Sequence, residues 1–364
     1  MNLIIAGGGT GGHLFPGIAV YEKLKSIDDI KVYFIGTEKG IENRLKDNYD
    51  FEFFKINVKG FSGKGFMDKV ASLKGFIKAA RDIGALYGKI KPDYVLGLGG
   101  YISLMPLVTA RFGGIRSGVM EQNVVPGLSN KILALLGITV FASFEETKKY
   151  MTFSKVIVTG NPVRQSILES VSTETNGEIE FTDKNELRIF VFGGSQGASS
   201  LNKAVINMLS LLDKEISDRL IIYHQTGERD LESVKSFYDG SKINKYDVFS
   251  FTDNIKKYYL SSDMVICRAG AGTLSELIAL RKPAVLVPYP FAAKNHQDKN
   301  AAVFSKKGCF YKIRDDENLS KELLQTTCKI FYNRKLLKYM YDNLKTIETK
   351  DSALKIANVI LNRE

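Results

Sequence analysis

The chain has 364 residues, 44% of them hydrophobic and 25% charged, and a net charge of +11. That length suits two domains with sizeable cores, and the balance of apolar and charged residues excludes a disordered chain. No run of about 18 apolar residues occurs, so no transmembrane helix is expected.

The first apolar stretch, "LIIAGGG", breaks into glycine after four residues, too early for a secretory signal. Cys267, Cys309 and Cys328 stand at no metal-binding spacing and form no pairing framework. They read as reduced, packed thiols, and a cytoplasmic location is expected.

In chain order, short runs rich in Val, Ile and Phe alternate with helical patterns. The first series of strands is "NLIIAG", "KVYFIG", "FEFFKIN", "DYVLGLG", "SGVMEQ", "TVFAS" and "KVIVTG". A polar, turn-rich segment at 171–185 interrupts it, just after a hinge-like "TGNPVRQ". The second series is "LRIFVFGG", "LIIYHQTG", "DVFSF", "MVICRAG" and "AVLVPYP". Apolar strands alternating with helices imply parallel sheets covered on both faces. The fold class expected is α/β, with two Rossmann-like doubly wound domains facing a central cleft. The boundaries expected are 1–163, 164–345 and a final helical stretch, 346–364, that packs back on the first domain.

Each series begins with a strand that runs into glycines and then a helix. Gly7, Gly9 and Gly12 satisfy G-x-G-x-x-G, and Glu38 lies just past the second strand, where a dinucleotide enzyme keeps its ribose acid. A nicotinamide-dependent oxidoreductase is therefore one reading. The other starts from cost: so many glycines lose much chain entropy on ordering, so close backbone approach must be needed there. Free amides at a helix start favour an anion. The second turn, Gly193-Gly194-Ser195-Gln196-Gly197, repeats that logic. Two anion-ready turns suit a phosphorylated donor with a second substrate, whereas a dehydrogenase needs one.

Further on, "CRAGAGTLSEL" places a turn at Gly270 to Thr273 and Glu276 one turn into the following helix. A carboxylate there suits a vicinal diol such as a ribose, or else complements the helix dipole. In "KNHQDKNA", Gln297 and Asp298 are placed to read sugar hydroxyls; the alternative is loop polarity and capping by Asn295.

Seven segments, "GGTGGHLFPG", "LGLGGYIS", "EQNVVPGLSNK", "TGNPVR", "GGSQGA", "CRAGAGTLSEL" and "NHQDKNA", resemble in order the signature segments of the MurG family, from Ala6 to Ala301. The resemblance implies a GT-B fold with the active site between two Rossmann-like domains. It implies inverting transfer of N-acetylglucosamine from UDP-N-acetylglucosamine to the C4 hydroxyl of the muramic sugar of lipid I, giving lipid II. Carried over by position, it puts Thr10, Gly11 and Gly12 at the reaction centre and Asn123 on the donor sugar. It puts Arg164 and Ser195 on the diphosphate or nucleoside, and the loop around Thr252 on the uracil. Ala271, Gly272, Thr273, Leu274, Ser275 and Glu276 would cradle phosphate and ribose, and Gln297 the sugar hydroxyls. Two departures stand out. Met120 replaces a histidine common in the family, and Leu104 stands where a small residue is common.

Inverting transfer needs a base, and His13 beside the glycine loop is the candidate, since histidine's ordinary pKa of about 6.5 suits neutral pH. The alternative is that His13 caps the helix or binds an acceptor phosphate. Glu121 is the second candidate base, with a structural role as a buried carboxylate the equal alternative, and His224 reads as structural or near the nucleoside. No cofactor and no metal are expected: no D-x-D pair occurs, and the three histidines show no metal spacing.

Charge is local. Nine Lys/Arg and two Asp lie between Lys55 and Lys91. In that segment Phe66, Val70, Leu73, Phe76, Ile77, Ala80 and Ile83 recur at helical spacing and read as a buried stripe. Lys69, Lys74, Lys78 and Arg81 lie off it, with Phe61 and Phe66 in a loop. This basic rim is expected to dock on the anionic inner membrane surface that holds the lipid acceptor. No nucleic-acid motif accompanies it. A protein that binds UDP-sugars without turning them over remains a further alternative, and a UDP-N-acetylglucosamine 2-epimerase shares the donor but not this order of motifs.

Overall fold

The computed structural model describes residues 1–8, 11–37, 49–56, 66–174, 185–194, 196–348 and 351–363; at 66–74, 76 and 170–174 it describes the backbone only. The chain forms two compact units, Met1–Gln165 with Lys350–Glu364, and Ser166–Thr349.

The first unit holds β1 (Asn2–Ala6), α1 (Gly11–Ile27), β2 (Lys31–Gly36), β3 (Glu52–Lys55), α2 (Phe66–Ile90), β4 (Tyr94–Gly97), α3 (Gly100–Phe112), β5 (Arg116–Glu121), α4 (Leu128–Leu135), β6 (Thr139–Ala142) and β7 (Val156–Val158). Its strands form one parallel sheet in the order β3-β2-β1-β4-β5-β6-β7. The chain leaves β1 for β2 on one side and returns to β4 on the other. The crevice beyond the carboxyl ends of β1 and β4 is therefore a topological switch point, where open α/β sheets take ligands. Apolar clusters cover both faces. Leu3, Ile5, Leu14, Ile18, Phe34 and Leu96 pack in one, and Ile4, Ile35, Val95, Leu107 and Val140 in the other.

Among the described side chains of α2 the buried positions are Ile83, Tyr87 and Ile90, one helical face, while Ile77 is 64% exposed. Ile77 thus departs from the stripe expected of it. The side chains of Phe66, Val70, Leu73 and Phe76, and all of Phe61, lie outside the described residues, as does Glu38.

The second unit repeats the plan. It contains α5 (Gln165–Glu174, whose first residue belongs to the first unit), β8 (Leu187–Phe192), α6 (Ser199–Ser210), α7 (Lys214–Ser217), β9 (Leu220–Gln225), α8 (Leu231–Asp239), β10 (Lys245–Phe249) and α9 (Ile255–Ser261). There follow β11 (Met264–Cys267), α10 (Ala271–Ala279), β12 (Ala284–Leu286), α11 (His296–Ser305), β13 (Tyr311–Lys312), α12 (Leu319–Tyr332) and α13 (Lys335–Lys345). The parallel order is β10-β9-β8-β11-β12-β13, with its switch point between β8 and β11. Cys267 and Cys309 are buried and Cys328 half-buried, and burial raises all three thiols above their ordinary pKa.

The last helix, α14 (Ser352–Leu361), belongs to the first unit and packs on α1. Ala353, Ile356, Ala357 and Ile360 recur at three- and four-residue spacing and are all buried in the cluster around Leu14 and Tyr21. Asp351 caps this helix by accepting from Leu354 N and pairs with Lys23 at 2.7 Å. Arg116, at the start of β5, donates to Val359 O, Ile360 O and Asn362 Oδ1 at its far end. A helix thus sealed at both ends contributes to the core of a unit whose other elements finish near residue 165.

Candidate active site

The sequence-predicted residues of the first unit gather at the carboxyl ends of its strands. Gly11 and Gly12 open α1, and His13 is its third residue. Thr10 lies outside the described residues. His13 Nδ1 stands 2.9 Å from Gln122 Oε1, and Gln122 Nε2 donates to Leu98 O at 2.9 Å. The turn after β4 closes on this pair. Gly99 has φ +93°, and a Cβ there would stand 2.9 Å from Met120 O and 3.3 Å from both Gln122 Oε1 and His13 Nδ1. Glycine is required on both counts.

Glu121, at the end of β5, is 2% exposed. Its Oε1 accepts from Asn123 N at 2.9 Å and Asn123 Nδ2 at 3.3 Å. Its Oε2 accepts from Gly127 N at 3.0 Å and Asn130 Nδ2 at 2.8 Å. Those four donors offset the cost of burying the carboxylate and hold the 122–127 loop in one shape. The loop carries Gln122 and Asn123, and Thr147 Oγ1 donates to Asn123 O from the other side. Met120 points the other way, into the apolar cluster with Leu14, Leu98 and Phe141. Leu104 packs on the opposite cluster. Both departures from the MurG pattern are thus accommodated as packing. Arg164 lies with its guanidinium over the Phe15 ring, 4.9 Å from the centroid.

In the second unit, Gly197 N donates to Gly194 O across the turn after β8, and Ser195 lies outside the described residues. Gly197 has φ +75°, and a Cβ there would lie 1.9 Å from Thr226 O, so this turn abuts the next strand's end backbone to backbone. The helix that follows, α6, has no side-chain cap. Helix α10 likewise starts at Ala271 behind Gly270 with no side-chain cap, leaving the first-turn amides oriented for an anion.

Glu276 sits on the second turn of α10. Tyr259 donates its hydroxyl to Glu276 Oε2 at 3.0 Å. The Tyr259 ring is fully buried, edge-on against Phe190 and Phe192. Thr252, after β10, accepts from Asn254 N through its hydroxyl at 3.1 Å. Gln297 Oε1 accepts from Tyr289 N at 2.9 Å, which identifies the other end of the amide as the N–H₂ donor.

Asp298 is paired with Lys312 at 2.7 Å instead of standing ready for a sugar. Asn295 stands at the cap position of α11 in the left-handed region, φ +54°, and its side chain makes no capping bond, against expectation. His224 is fully buried between Tyr238 and Asn202, and burial pushes it down to about 3, so it stays neutral and structural.

Sequence spacing gave no sign of one buried cluster. Arg268 pairs with Asp315 at 2.7 Å, donates to Ser200 Oγ at 2.6 Å and reaches Val287 O. It ties the end of β11 to the first turn of α6 and to the loop after β12, so the elements around the α6 and α10 starts are held by one guanidinium.

Two parallel α/β units, each with a glycine turn at the end of its first strand, and uncapped starts of α6 and α10 in the second, fit a GT-B-type nucleotide-sugar protein. Residues 3–140 match the glycosyltransferase family 28 N-terminal domain, and residues 188–356 its C-terminal domain. A Trichlorobacter lovleyi UDP-N-acetylglucosamine–N-acetylmuramyl-(pentapeptide) pyrophosphoryl-undecaprenol N-acetylglucosamine transferase is 38% identical across 99% of this chain and 98% of its own. The crystal structure of Acinetobacter baumannii MurG superposes with a TM-score of 0.80 at 27% identity, over 99% of both chains. A Neisseria meningitidis UDP-GlcNAc 2-epimerase bound to UDP-GlcNAc shares the fold, with a TM-score of 0.68 at 14% identity over 100% of both chains. The chain belongs to the MurG family of glycosyltransferases. The nicotinamide-dependent alternative falls with that match.

Proposed function

We propose that the chain transfers N-acetylglucosamine from UDP-N-acetylglucosamine to lipid I, forming lipid II and UDP. The observation that carries this is the full-length match to transferases of that name.

The reading assigns the acceptor side to the first unit. His13 Nε2 takes the proton of the acceptor C4 hydroxyl as that oxygen bonds to the anomeric carbon. The bond from that carbon to the diphosphate breaks from the opposite face, with inversion, and its electron pair leaves with UDP. Gly11, Gly12 and Thr10 let the backbone come close, and Asn123 addresses the donor sugar.

In the second unit the amides of Ala271, Gly272 and Thr273 take up charge as it grows on the leaving diphosphate. Leu274 and Ser275 are assigned to the same cradle by position, the Leu274 amide itself bonding Gly270 O. Arg164 and Ser195 are assigned to the diphosphate or nucleoside, the Thr252 loop to the uracil, Glu276 to the ribose hydroxyls and Gln297 to the sugar. Support for Glu276 comes from Tyr259, which holds its carboxylate in one rotamer. Support for His13 comes from its place beside the glycine turn and its bond to a buried amide.

Sugar transfer from labelled UDP-N-acetylglucosamine to a short-chain lipid I analogue, with EDTA present, tests the whole reading. Glu276→Ala loses a charge-assisted bond to a diol hydroxyl, worth about 1.5–3 kcal/mol, so the KM for the donor rises about 10- to 150-fold. Donor binding without transfer in the parent chain would point to a protein that only binds UDP-sugars. An unchanged KM in the variant would remove Glu276 from the ribose.

The lipid acceptor sets the place of work, the cytoplasmic face of the cell membrane. No described helix is long and apolar enough to cross a membrane. On α4, Leu128, Ile132 and Leu135 stand at four- and three-residue spacing and are all exposed, with Lys131 between them. Phe112, 77% exposed, ends the neighbouring α3, and α2 contributes exposed Ile77, Lys78 and Arg81. Such apolar side chains among cations suit an anionic bilayer. Binding to liposomes is expected to rise with anionic lipid, to fall with salt and to weaken about fivefold for each of Lys78→Gln and Arg81→Gln, at roughly 1 kcal/mol per charge. Co-sedimentation indifferent to lipid charge would sink this docking mode.

A further inference from the structure

We infer that Gln122 is the positioning residue of the base: it fixes His13 as the Nδ1–H tautomer and leaves Nε2 as the basic nitrogen. The inference rests on the reading of His13 as base, and the geometry that carries it is a chain of one-way hydrogen bonds. Leu98 O can only accept, so the end of the Gln122 amide 2.9 Å from it is the N–H₂. The other end, Oε1, can only accept, and it stands 2.9 Å from His13 Nδ1. Nδ1 therefore carries the proton. A neutral imidazole has one N–H, so Nε2 presents a lone pair. The reversed amide is excluded, because it would set Oε1 against the Leu98 carbonyl.

Each link is held in place. Leu98 N donates to Ala6 O at 2.8 Å, which fixes the Leu98 peptide between β4 and β1. Gln122 is 2% exposed and follows directly on the clamped Glu121. Gly99 is the glycine whose missing Cβ lets the pair close. An amide also differs from a carboxylate in what it does to the proton. A carboxylate here would attract the imidazolium and raise its hold on the proton. The amide orients the ring without adding charge, so the proton taken from the acceptor hydroxyl is passed on to solvent more readily.

The chain supplies its own control. It has three histidines. His224 Nε2 stands 3.2 Å from Asn202 Oδ1, and Asn202 Nδ2 donates to Thr226 O and Asp230 Oδ2. By the same reasoning His224 is the Nε2–H tautomer, with Nδ1 accepting from the Tyr238 hydroxyl. His296 Nδ1 is 2.8 Å from Ala293 O and carries its proton on Nδ1.

The test is a two-bond ¹H–¹⁵N correlation spectrum of the full chain with ¹⁵N-labelled histidine at pH 9, where imidazoles are neutral. His13→Asn identifies the His13 signal. The expected result is a protonated Nδ1 and a lone-pair Nε2 for His13, and the reverse for His224. In Gln122→Leu the His13 ring moves toward the Nε2–H form that predominates in free histidine, while the His224 pattern, which reports the second unit, is unchanged and the unfolding midpoint of the chain matches the parent. In parallel kcat falls about 10- to 100-fold with the donor KM unaltered. An Nε2–H ring in the parent chain, or an Nδ1–H ring that persists in Gln122→Leu, overturns the inference. The two readings fail separately: turnover that survives in His13→Ala beside an Nδ1–H spectrum of the parent chain would remove the base and keep the tautomer lock.

Discussion

Replacing His13 by alanine lowers kcat for sugar transfer by about 10²–10⁴-fold, the usual contribution of a positioned general base. The KM for UDP-N-acetylglucosamine changes by less than about threefold, because no donor contact is assigned to the ring. Alanine is a good helix former and leaves the backbone of α1 intact. The truncation exposes Gln122 Oε1, which can then bond water, so the change in stability is small. A role in holding the acceptor's phosphate gives a different pattern, a raised acceptor KM with kcat kept. Steady-state kinetics in both substrates, on a variant whose unfolding midpoint matches the parent, separates the two.

Most of the fold was legible because strands buried on both faces read as unbroken apolar runs. All twelve runs picked out in the sequence are strands, from Asn2–Ala6 to Ala284–Leu286. The strand left out, Tyr311–Lys312, pairs only at Val285↔Tyr311 and Leu286↔Lys312. Two residues carry no period. On α2, Ile83 is buried and Ala80 packs on the same cluster, and Ile77 departs from the stripe for a geometric reason. Ile77 precedes Ile83 by six residues, and six steps of about 100° carry it to 240°, away from the face that Ile83, Tyr87 and Ile90 bury.

The candidate site was legible where chemistry follows from local sequence. Glycines after a strand and a helix start behind them can be read from a few neighbouring residues: Gly194 and Gly197 close a turn after β8, and Gly270 precedes the uncapped start of α10. Pairings across the fold cannot be read that way. Gln122 meets His13 over 109 residues, and Tyr259 meets Glu276 over 17. The apolar residues of α4 had the opposite fate. Leu128, Ile132 and Leu135 show helical spacing, which suggests a buried face, yet all three are exposed. Spacing tells which residues share a face and is silent on what covers it. Glu121 shows the same limit in the site itself. A carboxylate at that place could be read as a base or as a structural group, and only the count of its donors separates the two.

Glu121→Gln separates these two roles most sharply. A base needs a lone pair aimed at substrate, whereas Glu121 spends both oxygens on Asn123 N, Asn123 Nδ2, Gly127 N and Asn130 Nδ2. Glutamine keeps the volume but turns an N–H₂ toward two of those donors. Hydrogen bonds to a charged group contribute about 1.5–3 kcal/mol each, and buried donors left unpaired add to the cost, so a loss of about 3 kcal/mol is expected. In a unit of this size that lowers the unfolding midpoint by roughly 6–12 °C. Turnover falls as well, since Gln122 and Asn123 lose the shape of their loop, and the fall tracks the loss of stability. A general base would behave otherwise: turnover would vanish while the midpoint stayed where it was. Thermal unfolding and single-turnover transfer on the same preparation decide between a clamp that builds the site and a group that acts in it.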